Sequence, residues 1–454
     1  MSATELSAIA PLAVLGGAAV LLILLLPFCR AAITDTLAVL ALILAALLSA
    51  MQTGGLPLPV TAMLSVDDVA RFGWVLVCLS AAIAVMLFHG RVAYREAAPL
   101  IVLAALGAAT LAAAAHGAAL FIGLELLTLP LIALFAFPLT LRALEAGYKY
   151  LIVSGIGSAA LLMGFAFIYA ATGALEIGGW RGSGPLMSLA VALLLAGIGF
   201  KLALIPFHMW SPDVFEGGPP GAAAVAGILS KAGAAIAVLR LNQEAALPAE
   251  IWHTGLLILG AASALGGNLL ALRQTDLLRM LGYSSVAHSG YLALILGCHA
   301  DLSGAALLFY LGIYAPGLLA ALGVAAATGG SPDLVRLRGL VRRRPVLAIG
   351  LALALVSLAG LPVTGGFIGK IYLFAALIEA QVWAALISAA VGAALGIFVY
   401  ARFAAAVLHP ESAETDGVAA GAERPRMEQA LIGALIIVVV GLGIYPPILI
   451  DVLP

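Results

Sequence analysis

Charge is scarce in this chain. Asp, Glu, Lys and Arg make up 9% of its 454 residues, and the formal net charge is -1. No basic block is large enough to follow a phosphate backbone, so nucleic acid is excluded as a partner. Cysteine is scarce too. Cys29, Cys78 and Cys298 stand singly in or beside apolar stretches without a CxxC pair, which argues against an iron–sulfur site or a disulfide framework. There is no GxGxxG fingerprint in a βαβ setting and no metal-ligand cluster, so no cofactor or metal site is expected in this chain.

In place of charge there is apolar surface. Hydrophobic residues make up 64% of the chain and mean hydropathy is +1.18, more than a water-soluble core of this length can use. Runs of about 20 apolar residues, enough to cross a bilayer as helix, recur throughout. Lipid offers no partners for backbone groups, and the runs lack the alternation of barrel strands, so the predicted fold is an all-α polytopic membrane bundle. About fourteen spans are expected, at residues 6–28, 32–51, 71–89, 97–115, 117–138, 142–172, 185–209, 219–241, 251–271, 274–298, 302–327, 346–378, 382–408 and 427–450. The first lacks a basic leader and is too long for a signal peptide, so it reads as a retained helix.

An even number of spans puts both termini on one side, and arginine identifies that side. With the termini outside, the inside connections hold Arg30, Arg91, Arg95, Arg142, Arg273, Arg279, the run Arg336, Arg338, Arg342, Arg343 and Arg344, then Arg424 and Arg426. The outside connections hold only Arg71, Arg181 and Arg240. Because short cytoplasmic loops are enriched in Lys and Arg, both termini are predicted to face the periplasm. The segments 331–345 and His409–Arg426 are the longest inside connections, too small for a soluble catalytic domain.

Lysine has a different distribution. There are only four, Lys149, Lys201, Lys231 and Lys370, and all fall within expected spans. An enclosed lysine can exchange its proton, whereas arginine stays charged. A chain that spends arginine on topology and keeps lysine for its interior has the composition of a proton carrier. Lys149 lies nearer a span end, four residues after Glu145, where snorkelling or a static pair is an equal reading. Glu125, in FIGLELLTLP (121–130), is the acid placed in a membrane core and a candidate modulator of a lysine; a static Glu–Lys lock is the alternative. His288, in SSVAHSGY (284–291), is placed to relay protons near neutral pH.

Two spans carry interruptions beside a lysine. In GFKLALIPFHMWSPDVFEGGPP (199–220), Pro206 follows Lys201; in AGLPVTGGFIGK (359–370), Pro362, Gly365 and Gly366 precede Lys370. Unwound backbone inside a membrane is tolerated where protein encloses it or water reaches it. The interrupted spans are the seventh and twelfth, five apart, as two inverted five-helix repeats require.

These strings resemble the antiporter-like membrane subunits of NADH-quinone oxidoreductase (complex I), relatives of the Mrp cation/proton antiporters, over about residues 97–408. Lys370 is similar to the lysine of the N-type and unlike the glutamate of the M-type. The resemblance implies helices 1–3 in residues 1–96, a first repeat of helices 4–8 in 97–250, a second of helices 9–13 in 251–408, and a cytoplasmic loop with helix 14 in 409–454. It also implies a Glu125–Lys201 pair, an axis continued by Lys231, and His288 linking Lys231 to Lys370. Proton translocation would then be driven by NADH, FMN, iron–sulfur clusters and quinone in or at partner subunits, in a bacterial inner membrane beside other antiporter-like subunits. The alternatives are a Na⁺(K⁺)/H⁺ antiporter subunit of Mrp type, or a scaffold that has lost pumping. GGPPGAAAVAGILSK (217–231), very rich in Gly and Ala, departs from the family, which has a Pro/Thr-containing segment and a more polar eighth helix there.

Overall fold

A computed structural model describes residues 3–52, 58–89, 94–410 and 425–453. Arg91, Arg424 and most of the stretch from His409 to Arg426, including the Arg426 side chain, lie outside them.

Each expected span carries helix, as apolar runs in a lipid solvent demand. The helices are α1 (Ala10–Leu25), α2 (Ala31–Met51), α3 (Asp68–Phe88), α4 (Ala97–Ala112), α5 (Gly117–Ala136) and α6 (Leu141–Thr172). The seventh position is two half-helices, α7a (Pro185–Leu202) and α7b (Trp210–Gly217). They are followed by α8 (Pro220–Glu244), α9 (Ala249–Ala271), α10 (Leu277–Cys298) and α11 (Ser303–Ala327). The twelfth is again split, into α12a (Pro345–Ala359) and α12b (Gly365–Glu379), before α13 (Trp383–Leu408) and α14 (Pro425–Ile444). Ten of these are long and apolar enough to cross a membrane, and α1, α4 and α12a are shorter apolar helices. The 22-residue α10 is more polar, carrying Arg279, Ser284, Ser285, His288 and Ser289. The fold is thus that of an all-α polytopic membrane protein.

Three placements differ from the sequence reading. The seventh span does not end near residue 209, because α7b resumes at Trp210. The twelfth is broken at Gly360–Thr364, while Gly365 and Gly366 open α12b. A short antiparallel pair, β1 (Leu58–Pro59) with β2 (Ser65–Val66), precedes α3.

By packing, the chain forms two compact units. The first holds Met1–Ala203 and Val225–Leu257 with the last two residues; the second holds Leu204–Ala224 and Ile258–Val452. Within the first unit, small residues bring helices into backbone contact, the usual means of helix association in lipid. A Cβ at Gly107 of α4 would lie 2.5 Å from the Leu127 nitrogen of α5, so nothing larger than hydrogen fits. Residues 225–241 of α8 are buried throughout. In the second unit α11 is almost wholly buried, and α7b lies against α10, where a Cβ at Gly282 would meet Pro212 at 2.6 Å.

Candidate functional site

Lys201 lies in the last turn of α7a, 1% exposed. The helix ends there because Ala203 turns left-handed (φ 58°) and Pro206, joined through a cis peptide bond, has no N–H to continue the ladder. An ammonium in that position is favoured by the carbonyl end of the helix. It donates to the Thr128 hydroxyl of α5 at 2.7 Å and to the Tyr150 hydroxyl of α6 at 3.4 Å. Thr128 passes its own hydrogen to the Leu124 carbonyl at 2.6 Å.

Glu125 lies one turn before Thr128 on α5 and accepts the Ser158 hydroxyl of α6 at 2.5 Å. Among the described residues no ion pair joins it to Lys201. What relates the two is α5, which carries Glu125 one turn from Thr128, the hydroxyl partner of Lys201. Lys201 also borders a cavity of about 30 Å³ walled by apolar residues including Leu124, Phe165 and Leu194, with Ala234 and Ala237 from α8. This is room for a water or two, but the walls offer few polar partners to hold them.

Lys231 is 2% exposed and follows a π-helical turn at Val225–Leu229, a distortion frequent at functional positions. Its neighbour Ser230 donates to the Lys201 carbonyl at 3.4 Å, tying α8 to the end of α7a. At the far end of α8, Arg240 is not the outside-loop residue expected from sequence: it is fully buried. Its guanidinium reaches Ala112 O (2.7 Å), Ser65 O (2.9 Å), Asp67 (2.6 Å) and Glu244 (2.9 Å). The five donors of an arginine fork suit such a junction of α4, β2, the start of α3 and α8.

In the second unit, His288 of α10 is 4% exposed, with a tyrosine hydroxyl on each ring nitrogen: Tyr310 on Nδ1 at 2.7 Å and Tyr400 on Nε2 at 3.1 Å. Tyr400 is itself 2.6 Å from the Ser284 hydroxyl. An imidazole held this way can take a proton on one nitrogen and release one from the other. Lys370 of α12b reaches back across the break to donate to Ala359 O, the last residue of α12a, at 2.5 Å. Gly360 (φ 72°) makes this reach feasible, since a Cβ there would lie 2.4 Å from the Lys370 stem. The lysine nitrogen is also 5.8 Å from the centre of the Tyr291 ring, within cation–π range. His288 and Lys370 line one small cavity, of about 10 Å³, with Tyr310, Tyr314 and Ser357.

Lys149 differs from the other lysines. It is on an exposed face of α6, paired at 2.7 Å with Glu145 one turn earlier. Sequence reading missed the hydroxyl partners Thr128, Tyr150, Ser158, Tyr310 and Tyr400, whose only signal was polarity in otherwise apolar helices. It also missed Arg402 of α13, which caps the end of α9 through Leu272 O at 2.6 Å, and Asp35, buried against His89 at 3.2 Å.

Comparison with known proteins places these features in a family. The profile described as NADH:quinone oxidoreductase/Mrp antiporter, TM, matches residues 114–396. NADH-quinone oxidoreductase subunit N of Rhodopseudomonas palustris is 53% identical over 404 residues, 89% of each chain. A chain of respiratory complex I from Thermus thermophilus superposes with a TM-score of 0.85 at 35% identity, covering 97% of this chain and 98% of that one. A chain of the Mrp complex from Dietzia shares the fold, with a TM-score of 0.83 at 20% identity over 100% and 96% of the two chains.

Proposed function

We propose that this chain, which belongs to the family of antiporter-like membrane subunits of NADH-quinone oxidoreductase and within it to subunit N, carries protons across the bilayer through its buried lysines. The observation that carries the reading is the kind of partner these lysines have. Lys201 and Lys370 are enclosed within spans, yet they donate to a threonine, a tyrosine and a backbone carbonyl rather than to carboxylates. An ammonium held by neutral oxygens can give up its proton without leaving an unpaired buried anion behind. A lysine locked to a buried carboxylate could not do so at comparable cost.

In this reading Glu125 modulates Lys201 from the adjoining turn of α5, Lys231 continues the path along α8, and His288 with its two tyrosines exchanges protons with Lys370. Lys149 stands outside the path. The two broken helices belong to inverted repeats at 97–250 and 251–408. Energy comes from partner subunits of the complex, where NADH, FMN, iron–sulfur clusters and quinone act. The chain sits in the bacterial inner membrane beside other antiporter-like subunits, with both termini in the periplasm.

The test uses the assembled complex in sealed membrane vesicles, with NADH oxidation and vesicle acidification recorded together. Lys201→Ala and Lys370→Ala should each assemble normally and lose most coupled turnover. Unimpaired pumping in either variant would sink the assignment. A pH change that requires Na⁺ or K⁺ and proceeds without NADH would favour the Mrp-type exchange instead.

A further inference from the structure

Between the end of α11 at Ala327 and the start of α12a at Pro345, the chain forms two short helical turns, Leu334–Leu337 and Leu340–Arg343. Leu337 and Leu340 are buried and anchor this segment to the second unit. Arg336, Arg338, Arg342 and Arg343 are exposed. The proton path uses none of them.

The strip has a built shape. Arg343 turns back to donate to the carbonyls of Arg336 (3.1 Å) and Arg338 (2.8 Å), and Arg344 donates to Ala327 O (2.8 Å), joining the ends of α11 and α12a. Gly339 donates to His409 O at the end of α13. Of the nearby carboxylates, Asp333 accepts the Arg336 amide, and Asp276 accepts the Arg279 amide and the Ser331 hydroxyl. Among the described residues, Arg336, Arg338 and Arg342 make no ion pair. Three exposed guanidiniums thus follow one another along the segment that joins α11 to α12a, with no described carboxylate paired to them.

The residues that follow suggest the ligand's chemistry. Val346 and Ile349, in the first turns of α12a, are about half exposed (46% and 51%), so exposed apolar side chains come next after the arginines along the chain. Phosphate recognised by arginine, with hydrocarbon against the adjoining stripe, is the chemistry of a phospholipid. We infer that the segment from Arg336 to Arg342 is a binding site for the headgroup of an anionic phospholipid, whose acyl chains lie along Val346 and Ile349. Bound there, the lipid would hold the entry of α12a, and so the helix whose far end receives Lys370.

The assembled complex is purified from cells carrying the parent chain, the triple variant R336Q/R338Q/R342Q, or the charge-preserving R336K/R338K/R342K. Each is exchanged into nanodiscs of phosphatidylcholine containing one-fifth phosphatidylglycerol, and retained lipid is counted by native mass spectrometry. The parent should retain anionic lipid that the Gln variant loses, with affinity weakened roughly five-fold per arginine removed and on the order of 100-fold for all three. The Lys variant should stay close to the parent. If the triple Gln variant fails to assemble, the three single Gln variants are measured, and each should show its own partial loss. Equal retention by parent and Gln variants would overturn the site, and is the outcome expected if carboxylates of this chain or of a neighbouring subunit cover the strip. Displacement of the lipid by millimolar inorganic phosphate would also overturn it, by showing that the acyl chains contribute nothing.

Discussion

Replacing Arg240 by Met should destabilise the chain while leaving the turnover of the assembled complex nearly unchanged. The side chain is inaccessible to solvent and makes bonds of 2.6–2.9 Å to two carbonyls and two carboxylates. Methionine fills the space of the aliphatic stem but strands Asp67 and Glu244. Breaking a buried pair costs about 3–5 kcal/mol. The two carboxylates keep 24% and 33% exposure and can partly rehydrate, which puts the estimate at the low end, about 3 kcal/mol, or on the order of 100-fold in the ratio of folded to unfolded chain. Asp67 also caps α3 through the Ala70 amide at 2.7 Å, so part of the loss should appear as loosening of that helix end. Thermal aggregation of the chain in detergent-solubilised complex, scored by blotting, should begin several degrees lower for R240M. R240K should fall between, since it keeps the charge without the planar fork. Adding D67N and E244Q to R240M should restore more than half of the loss, because it is the stranded charges that cost. An R240M midpoint equal to the parent's, or a triple variant worse than the single, would refute the reasoning. Turnover per assembled complex should stay within about two-fold, since Arg240 lies roughly 13 Å along the helix from Lys231.

Lys201→Arg should abolish coupled turnover as fully as Lys201→Ala, by about 100-fold, because arginine keeps the charge but does not release its proton; near-normal NADH-driven acidification would show that only a fixed charge is needed. Tyr310→Phe leaves His288 Nδ1 unsatisfied in a buried site, a loss of about 1–3 kcal/mol, and should slow pumping about ten-fold, while Tyr314→Phe, whose hydroxyl serves Ser285, should not; equal rates in the two variants would remove His288 from the path. Gly366→Ala would bring a Cβ within 1.8 Å of Ser357 O, against backbone that cannot yield, whereas a Cβ at Gly441 meets nothing within 4 Å. Membrane levels of the assembled chain should collapse for the first and stay normal for the second.

Most of the helices were legible because each is written locally, as an apolar run near the length that crosses a bilayer. Lys201, Lys231 and Lys370 were legible for a similar reason: a lysine in such a run is conspicuous by itself. Partners were not. Thr128 and Lys201 are 73 positions apart, Glu125 and Ser158 are 33, and single apolar helices carry no information about which faces meet. Arg240 sits at a span end, where arginine normally marks a loop; only its partners on other segments, Ala112 of α4 and Ser65 and Asp67 before α3, show that it is interior. The α7b half-helix was hidden by its brevity and by Asp213 and Glu216, which are satisfied by Arg279 of α10 at 2.9 and 2.7 Å. In the twelfth span two glycines that looked like the break lie in helix, and their lack of a side chain serves close approach rather than unwinding.

The two broken helices place their lysines differently in sequence, and helix polarity explains why. Lys201 precedes its break, in the last turn of α7a; Lys370 follows its break, in the second turn of α12b. By position the two appear unrelated. Yet Lys370 turns back to the terminal carbonyl of α12a, so its ammonium is held at the C-terminal end of one half-helix, while Lys201 is rooted in the last turn of the other. That end carries the partial negative charge of the helix dipole and carbonyls with no amide to accept. Breaking a helix in mid-membrane therefore frees a carbonyl that can accept from a cation without a carboxylate, as Ala359 O does from Lys370. An unbroken helix would have offered Lys370 only carbonyls already bonded, so the lysine would have required an acid as partner. At the twelfth position the interruption and the lysine thus meet in one contact, whereas Lys201 takes its acceptors, Thr128 and Tyr150, from α5 and α6.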